Sequence, residues 1–386
     1  MAKILHITTN NKFISHALIS FNKMYPGQNT VWMYTDYAGS KPDNNNFDLI
    51  FRYIDTFKPS LIKKIKEFDL VIIHGFDYLK YPIIAAAPKQ VKFAWIGWGY
   101  DYNCYIYDNS SELLLEKTLL FKENNKKSKK VNLYSSFKNF IRKSIERELK
   151  KAALKRIGSF SPVLKEDYDL VKAKNILNPI PKYLPWNYGS IEDVFLKNYK
   201  DMRVSGESVL VGNSASLTNN HLDIFEVLNS MINSENYKLN LIVPLSYGDQ
   251  EYRDKVIEDG VLKFKDFFNP IIEFIPLDEY VNLLLQCGYV IMNHVRQEAV
   301  GNIIIMLYLG ARVFLREDNP TYIMLRNEGA FINTVDELNE KNWLIKLPLS
   351  EGEILKNIEV INKHWSSSAI DKKTKNLVEC HLGVST

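Results

Sequence analysis

The sequence predicts an α/β protein of two doubly wound, Rossmann-like lobes with an interlobe cleft. The chain has 386 residues, enough for two or three domains of ordinary size. Short β-rich runs alternate with helical stretches in two sets, which is typical of parallel sheets covered by helices. Between the sets lie Pro179, Pro181 and Pro185, and prolines so close together prevent a continuing helix and mark a linker.

The first set predicts four strands of a parallel sheet. The β-rich runs are "KILHIT", "TVWMYT", "LVIIHG" and "VKFAWIG". Apolar residues at helical spacing predict helices in "KFISHALISFNKM" and "PSLIKKIKEF".

The second set predicts five βα units, which make one doubly wound domain. Its strands are "SVLVGN", "LNLIVP", "IIEFIP", "YVIMNH" and "ARVFLR". Its helices are "HLDIFEVLNSMI", "EYRDKVIEDG", "LDEYVNLLLQCG", "GNIIIMLYLG" and "NPTYIMLRNEG".

These elements set the expected domain bounds. We expect a first lobe over 1–178 with an insert at about 110–156, and a linker over 179–190. A second lobe is expected over 191–350, followed by C-terminal helices at 351–386 that pack back on the first lobe.

Composition excludes several classes of protein. Hydrophobic residues make up 46% of the chain and charged residues 24%, which are ordinary globular values and argue against disorder. Cys104, Cys287 and Cys380 lie far apart, so neither a disulfide framework nor a zinc site is indicated and a reducing cytoplasm is expected. The sequence shows neither a signal-peptide core nor about 18 uninterrupted apolar residues, so we expect neither export nor a membrane span.

The positive charge is concentrated in one segment. Between Lys122 and Arg156 there are thirteen Lys and Arg residues against three Glu, with apolar residues interleaved at roughly helical spacing. Such a segment is either a solvated helix with one face on its own domain or a contact with an anionic membrane surface. Nucleic acid is the weakest alternative, because no binding motif accompanies the charge.

Polar and glycine residues follow the strands of the second lobe. In open α/β sheets, ligands bind outside the carboxyl ends of the strands. A helix N-terminus there offers free N–H groups to phosphate, and Arg296 adds a bidentate donor for diphosphate oxygens. Ser214 or Thr218 taken alone would indicate a plain helix cap. Polar residues suited to phosphate follow several strands of this lobe, however, and this favours a ligand site. The candidate donor-binding residues are Gly212, Asn213, Ser214, Asn219, His221, Pro244, Tyr247, Arg296, Gln297, Glu298, Gly301, Glu317, Asp318 and Asn319.

The same residues carry a resemblance to a known family. "VLVGNSASLTNNH", "LIVPLSYG", "VRQEAVG", the glycine of "LYLGA" and "EDNP" occur in this order, as do "IIHGF" and "FAWIGWGYDYNCY" nearer the N-terminus. In these motifs the chain resembles the family 56 glycosyltransferases of enterobacterial common antigen synthesis. That family adds 4-acetamido-4,6-dideoxygalactose to a lipid-linked saccharide.

The resemblance implies both a fold and a reaction. It implies a GT-B fold, a dTDP-activated amino sugar as donor, and an undecaprenyl-diphosphate-linked acceptor on the cytoplasmic face of the bacterial inner membrane. Segment 122–156 would then approach anionic lipid head groups. Where the family has Gln-Gly after Arg-Gln, this chain has Glu298-Ala299, so sugar contacts at that loop are expected to differ.

Candidate residues for catalysis and acceptor binding come from both lobes. Arg296 suits stabilisation of the leaving diphosphate, and Asp101 and His74 follow first-lobe strands as candidate bases. The candidate acceptor-binding residues are Trp95, Trp98, Gly99 and Tyr102. A tryptophan can stack on a sugar or lie in the core, and His74 can equally be structural.

No metal or other cofactor is expected. "DYD" at 167–169 formally matches an Asp-x-Asp metal motif. It lies where a helix is expected to begin, so an acidic cluster in a first helical turn is the better interpretation.

Two other classes of function compete with glycosyl transfer. A non-hydrolysing nucleotide-sugar epimerase would use the same two-lobe fold and phosphate site without a lipid acceptor. A non-catalytic binding module is the third class. The basic segment and the aromatic residues of the first lobe favour the transferase.

Overall fold

The computed structural model describes residues 2–9, 11–35, 47–125, 133–235 and 238–383. The chain forms two compact units. Unit 1 comprises Met1–Ile106, Lys127–Val194 and Ser367–Thr386, and unit 2 comprises Tyr107–Lys126 and Phe195–Ser366.

Unit 1 is built on a seven-stranded sheet in which every pairing is parallel. The strand order is β3-β2-β1-β4-β5-β6-β7, so the chain reverses direction across the sheet between β1 and β4. The strands are β1 (Ile4–Thr8), β2 (Asn29–Tyr34), β3 (Leu49–Phe51), β4 (Leu70–His74), β5 (Lys92–Ile96), β6 (Ile157–Ser161) and β7 (Lys182–Tyr183).

Unit 2 repeats this arrangement with six parallel strands. The order is β10-β9-β8-β11-β12-β13, with the reversal between β8 and β11. The strands are β8 (Val209–Val211), β9 (Leu241–Pro244), β10 (Phe268–Ile271), β11 (Tyr289–Met292), β12 (Arg312–Leu315) and β13 (Asn333–Thr334).

Helices connect the strands in both units. They are α1 (Asn11–Met24), α2 (Pro59–Ile65), α3 (Tyr81–Ala86), α4 (Glu116–Asn124), α5 (Leu133–Leu154), α6 (Lys165–Ala173), α7 (His221–Glu235), α8 (Gln250–Phe264), α9 (Leu277–Leu284), α10 (Val300–Tyr308), α11 (Pro320–Asn327), α12 (Glu337–Glu340), α13 (Glu351–Trp365) and α14 (Ser367–Leu382). None of them, within the described ranges, is long and apolar enough to cross a membrane.

The predicted fold class, two Rossmann-like α/β lobes, is confirmed. The central strands of both sheets are mostly apolar and buried along their whole length, as expected for parallel strands covered on both faces. One predicted strand is misplaced: the structure has β10 at Phe268–Ile271 rather than at "IIEFIP". Because β10 is an edge strand, it tolerates Pro270, whose missing N–H would break an inner ladder.

The proline-rich segment differs from the expected linker. Residues 179–190 belong to unit 1 and contribute β7 to its sheet. Trp186 is 1% exposed and its indole N–H donates to Thr374 of α14 at 2.9 Å. Only α14 of the two long C-terminal helices belongs to unit 1, while α13 belongs to unit 2, and residues 107–126 also group with unit 2.

Candidate functional site

The topology of unit 2 places two loops side by side. β8 and β11 are neighbours at the point where the strand order reverses, and parallel neighbours end at the same edge of the sheet. In doubly wound sheets the ligand crevice lies at this switch point. The loop after β8 begins at Gly212 and the loop after β11 begins at Asn293.

Side-chain amides tie these two loops together. Asn220 donates through Nδ2 to the carbonyl of Asn293 at 3.1 Å, and Asn293 donates through Nδ2 to the carbonyl of Asn220 at 3.3 Å. Both side chains are buried. The reciprocal pair therefore fixes the spacing of the loops before any ligand is bound.

The loop after β8 is closely packed on itself. Gly212 has φ of +69°, and a Cβ atom there would lie 2.5 Å from His221 Nε2 and 2.7 Å from Asn219 Oδ1. Asn219 Oδ1 accepts from the backbone N–H of Asn213 at 2.8 Å, while its Nδ2 donates to Ser214 Oγ at 3.2 Å. Glycine is required at this position by both backbone conformation and space.

The end of β9 adds an aromatic side chain. Pro244 is the last residue of β9, and Tyr247 follows in the next turn with 61% of its surface exposed. The Tyr247 hydroxyl accepts from Asn213 Nδ2 at 3.0 Å. Burial of the hydroxyl end raises the pKa of Tyr247, so it is a neutral hydrogen-bonding group at the rim of the loop.

Arg296 and Glu298 form an ion pair after β11. Arg296 Nη2 lies 2.7 Å from Glu298 Oε2, which also accepts from Thr218 Oγ1 at 2.8 Å. Arg296 Nη1 donates to the carbonyl of Gln297 at 3.2 Å, and Gln297 itself is buried. His294 Nε2 lies 4.0 Å from Glu298 Oε1. The guanidinium is thus held at the switch point by a carboxylate.

The end of β12 supports the same loop from below. Asn319 is fully buried, caps α11 by accepting from Thr321 N at 2.7 Å, and donates to the carbonyls of His294 and Arg296, both at 2.8 Å. Asn319 therefore acts on the loop conformation and lies beneath it.

Three further donor candidates lie around this loop. Glu317 and Asp318 are exposed, and Asp318 forms a two-pronged ion pair with Arg316. Gly301 lies in the first turn of α10. Their expected contacts with the donor stay predictions.

Buried polar atoms without a partner are concentrated at this switch point. Asn213 Oδ1, Asn293 Oδ1, Arg296 Nε and both ring nitrogens of His294 have no hydrogen-bond partner among the described residues. A buried polar group left unpaired costs about 1–3 kcal/mol. Their concentration beside one strand pair indicates a site that is completed by a polar ligand.

The two histidines of this site are held neutral. The pKa of His294 is lowered to about 4, chiefly by burial; the charge of Glu298 opposes this shift and the charge of Arg296 contributes to it. Burial, followed by the charge of His294, lowers the pKa of His221 to about 3. The positive charge available to an anion here is therefore that of Arg296.

The switch point of unit 1 carries a different network. His74, the last residue of β4, is fully buried: its Nε2 shares a hydrogen bond with His6 Nδ1 at 2.9 Å, and its Nδ1 shares one with the Tyr188 hydroxyl at 2.6 Å. Trp98 Nε1 donates to the same hydroxyl at 2.8 Å. Both nitrogens of His74 are occupied, which is the arrangement of a structural histidine. A catalytic role for it stays a prediction.

Asp101 is an internal structural carboxylate. It accepts from the backbone N–H groups of Phe76 and Trp98 and from Trp95 Nε1, each at 2.8 Å. Burial raises the pKa of Asp101, and these hydrogen bonds oppose the rise. These contacts tie the loop after β4 to β5 and to the loop after β5, so the expected role as a base is a prediction that this geometry disfavours.

The candidate acceptor residues divide into core and loop. Trp95 is fully buried and stacks on Phe160 with ring centroids 4.0 Å apart. Tyr102 is 1% exposed and donates to Asp167 at 2.6 Å. Burial therefore argues against the expected stacking of Trp95 or Tyr102 on a sugar. Trp98 is partly exposed and Gly99 has φ of +101°, and the acceptor-binding role of these two stays a prediction.

The acidic pair at 167–169 lies in the first turns of α6, as the helical interpretation predicted. Asp167 accepts from Tyr102, and Asp169 pairs with Lys165 at 2.5 Å. Each carboxylate thus already has a partner within unit 1.

Comparison with known proteins decides the family. The model of the 4-alpha-L-fucosyltransferase glycosyl transferase group 56 family matches residues 148–346, just over half of the chain. The chain belongs to glycosyltransferase group 56. The matched region includes every donor candidate after β8, β9, β11 and β12.

Solved structures show the fold of this group 56 glycosyltransferase. Anabaena HepE in complex with UDP and glucose has a TM-score of 0.62 at 11% identity, over 98% of this chain and 99% of that chain. Sucrose-phosphate synthase from Thermosynechococcus elongatus has a TM-score of 0.61 at 11% identity, over 100% of both chains. The N-terminal domain of Candida albicans trehalose-6-phosphate phosphatase has a TM-score of 0.65 at 11% identity, over 100% of this chain and 97% of that chain. The GT-B fold implied by the motif resemblance is therefore confirmed.

The sequence analysis missed several members of the glycosyltransferase's two switch points. The pattern "YVIMNH" predicts a strand that includes Asn293 and His294. In the structure β11 ends at Met292, and both residues belong to the loop that follows it. Their polarity after four apolar residues is a signal that the strand-end rule could have used. His6, Tyr188 and Asn220 gave no local signal, because their partners lie 68, 114 and 73 residues away in the chain.

Proposed function

We propose that unit 2 binds a nucleotide-sugar donor at the β8–β11 switch point and that the enzyme transfers its sugar to a lipid-linked acceptor. The observation that carries the proposal is the concentration of buried, unpartnered polar atoms there. These are both acceptors, such as Asn213 Oδ1, and donors, such as Arg296 Nε. A diphosphate sugar presents both hydroxyl donors and anionic acceptors.

Arg296 supplies the charge that the reaction requires. In glycosyl transfer the bond from the anomeric carbon to the diphosphate oxygen breaks, while the acceptor oxygen bonds to that carbon and loses its proton. Negative charge accumulates on the departing diphosphate, and a fixed cation stabilises it. Arg296 lies in a largely buried setting, with 17% of its side chain exposed, where such an interaction is stronger than in water.

Glu298 sets the charge balance of this site. Its carboxylate lies 2.7 Å from the Arg296 guanidinium. A bound diphosphate has to share Arg296 with Glu298, and hydroxyl groups of the donor sugar are natural partners for the carboxylate. We therefore place the diphosphate beside Arg296 and the sugar beside Glu298.

We propose a deoxy-amino sugar carried by dTDP as the donor, similar to 4-acetamido-4,6-dideoxygalactose. The motif resemblance supports this choice. The matching family description names a fucosyl group, and fucose is likewise a 6-deoxygalactose. HepE is a structural neighbour with UDP bound, so UDP-sugars are the matched comparison in a donor screen.

We propose an undecaprenyl-diphosphate-linked saccharide as the acceptor, reached from the cytoplasmic face of the bacterial inner membrane. The exposed cations of α5 support this proposal, because each Lys or Arg near an anionic bilayer contributes about 1 kcal/mol of attraction. Five exposed cations, Arg142, Lys143, Arg147, Lys151 and Lys155, lie in the described part of segment 122–156. Lys126, Lys127, Lys129 and Lys130 lie outside the described residues.

Arg296→Ala tests the donor site. The variant should weaken dTDP-sugar binding by roughly 10- to 150-fold, because a hydrogen bond to a charged group is worth about 1.5–3 kcal/mol. Calorimetric titration measures the affinity. Arg203→Ala is the matched control, since Arg203 is exposed in the same unit and lies before β8, away from the loops of the switch point. Equal affinities for Arg296→Ala and the unsubstituted enzyme would remove the proposed phosphate role.

A transfer assay separates the proposed reaction from epimerisation. The enzyme is incubated with the dTDP-sugar, with and without an undecaprenyl-diphosphate-linked saccharide. The proposal predicts a new glycosidic linkage only with the acceptor. A new epimer formed from donor alone, with no transfer to any lipid-linked acceptor, would assign the chain to the epimerase class.

A further inference from the structure

Large apolar side chains lie exposed on one part of unit 1. Ile54 and Phe57 belong to the 3-10 turn Tyr53–Phe57 and are 66% and 52% exposed. Tyr78, in the loop after β4, is 47% exposed. We call Ile54, Phe57 and Tyr78 the apolar turn surface. Side chains of this size are normally withdrawn from water unless something covers them.

Aromatic contacts make this surface continuous. The Tyr53 ring lies 5.4 Å from the Phe57 ring and 6.1 Å from the Tyr78 ring, measured between centroids. Tyr53 is itself only partly exposed. Tyr53 therefore contacts both exposed rings, and Tyr53, Phe57 and Tyr78 form one continuous patch.

The patch lies close to the basic helix. α3 packs against both α5 and the 3-10 turn. Burial, and then the negative charge of Glu146, raise the pKa of Tyr53. This effect agrees with the packing in placing Glu146 of α5 near the patch. Ile145, beside Glu146, is 56% exposed and adds a further apolar side chain.

Both chain segments that lie at the patch carry an excess of cations. Between residues 50 and 66 there are five Lys and Arg residues against Asp55 alone. Arg52 and Lys58 pair with Asp55 and still have side chains 51% and 59% exposed. Between residues 142 and 156 of the basic segment there are seven cations against two Glu.

We propose that the apolar turn surface is a membrane-docking surface, which inserts between the head groups of an anionic bilayer while the surrounding cations bind lipid phosphates. An apolar face rimmed by Lys and Arg is the pattern of proteins that lie in the bilayer interface. Tyrosine rings are enriched at that depth. The proposal rests on the proposed function in one respect, since a lipid-linked acceptor requires the enzyme to work at a bilayer.

The charge around the patch selects lipid over a second protein. The centres of protein–protein contacts are depleted in lysine, whereas here Lys58 directly follows the exposed Phe57. A bilayer containing phosphatidylglycerol supplies the complementary charge to all of these cations together. Self-association of the chain through this surface is the alternative outcome of the test.

The first experiment removes the apolar side chains. The triple variant I54S/F57S/Y78S is compared with L262S/F274S/L355S, whose apolar side chains in unit 2 are 75%, 88% and 55% exposed. Flotation with vesicles of phosphatidylcholine, with and without phosphatidylglycerol, measures binding. The turn variant should lose roughly tenfold or more in affinity for the anionic vesicles, while the control variant binds as the unsubstituted chain does.

The second experiment locates the side chain in the bilayer. Phe57→Trp should gain quenching by brominated lipids above that of the six native tryptophans, whereas Phe274→Trp should not. Equal vesicle binding by both triple variants, or no extra quenching of Phe57→Trp, would overturn the proposal. A dimer in solution that I54S/F57S/Y78S abolishes would assign the surface to self-association instead.

The two proposals fail in distinguishable ways. Donor binding by calorimetry is expected to be the same for both triple variants, because neither touches the β8–β11 switch point. Transfer to a short-chain, water-soluble acceptor analogue should also survive in I54S/F57S/Y78S. If Phe57→Trp inserts into the bilayer but the enzyme transfers no sugar to a lipid-linked acceptor, the proposed docking surface stands and the proposed acceptor is rejected.

Discussion

The switch points of the two sheets carry similar polar residues in opposite hydrogen-bonding states. In unit 1, both ring nitrogens of His74 have partners and Asp101 accepts three hydrogen bonds. In unit 2, neither ring nitrogen of His294 has a hydrogen-bond partner among the described residues. The same topology thus supports a completed internal network in one unit and an uncompleted site in the other.

The difference shows where folding leaves free energy for a ligand. A satisfied buried network contributes to stability, whereas unpaired buried atoms each cost about 1–3 kcal/mol that a ligand can restore. Substitutions of His74 or Asp101 in unit 1 should therefore act mainly on stability. Substitutions in unit 2 should act on donor binding as well.

The largest expected effect comes from Asp101→Ala. Removing the carboxylate leaves three buried donors without an acceptor, so the free energy of unfolding should fall by about 3–5 kcal/mol. Chemical denaturation measures it. Donor affinity, measured on the folded fraction, should be unchanged. A stable Asp101→Ala enzyme that has lost only transfer would instead restore the predicted catalytic role of Asp101.

Acid should destabilise the enzyme through its buried histidines. The pKa of His294 is lowered from 6.5 to about 4 in the folded protein, so the unfolded chain binds its proton first as the pH falls. The stability that neutral His294 contributes is present above pH 6.5 and is lost as the pH falls through about 4, by up to about 3 kcal/mol.

His294→Asn checks this linkage. The variant should show a smaller loss of unfolding free energy between pH 6.5 and 4 than the unsubstituted enzyme. A saturating dTDP-sugar should also reduce that loss for the unsubstituted enzyme, because its diphosphate favours the protonated ring. Identical pH profiles for variant and parent would exclude His294 as a source of the acid sensitivity.

A matched pair of glycines sharpens the comparison. Gly212→Ala and Gly75→Ala both place a Cβ on left-handed backbone, 2.5 Å from His221 Nε2 and 2.8 Å from Trp98 Cε3 respectively. Each should lose about 2 kcal/mol of stability. Only Gly212→Ala should also weaken donor binding, by about tenfold, as measured by calorimetry below the unfolding temperature. Equal effects of both on donor affinity would break the proposed division of roles.

The smallest expected effect is a gain in stability at Ala299. This residue caps α10 with φ of +57°, a conformation that costs a residue with a Cβ about 1 kcal/mol. Ala299→Gly should raise the unfolding free energy by about that amount in a thermal melt. The resembled family has glycine at this position. An unchanged melting temperature would mean that the loop already relieves the strain.

Much of the fold follows from local sequence patterns. Runs such as Leu70–Ile73 and Tyr289–Met292 are continuously apolar, and the alternation with helices specifies parallel sheets. Short strands such as Lys182–Tyr183 escape such reasoning, because two residues carry no periodicity. The proline-rich segment predicts a linker because prolines break helices. Prolines equally allow an extended chain along the edge of a sheet, which is what the structure shows.

The candidate site is predictable in position but not in hydrogen bonding. The strand-end rule finds Gly212, Arg296 and Asn319 from the sequence. It cannot show that Asn319 lies beneath the loop or that Trp95 is in the core, because both facts depend on long-range packing. The same limit applies to Asp101, whose three donors come from both sides of the β4–β5 connection.

Histidine ring nitrogens test the central claim most directly. The enzyme contains seven histidines, and nitrogen-15 spectra of their rings can be assigned with His6→Asn, His74→Asn, His221→Asn and His294→Asn variants. Addition of a saturating dTDP-sugar should shift the ring signals of His221 and His294, because a diphosphate beside Arg296 changes the field and the partners of both rings, and should leave those of His6 and His74 in place. Unchanged His221 and His294 signals with the donor fully bound would contradict a donor site at the β8–β11 switch point.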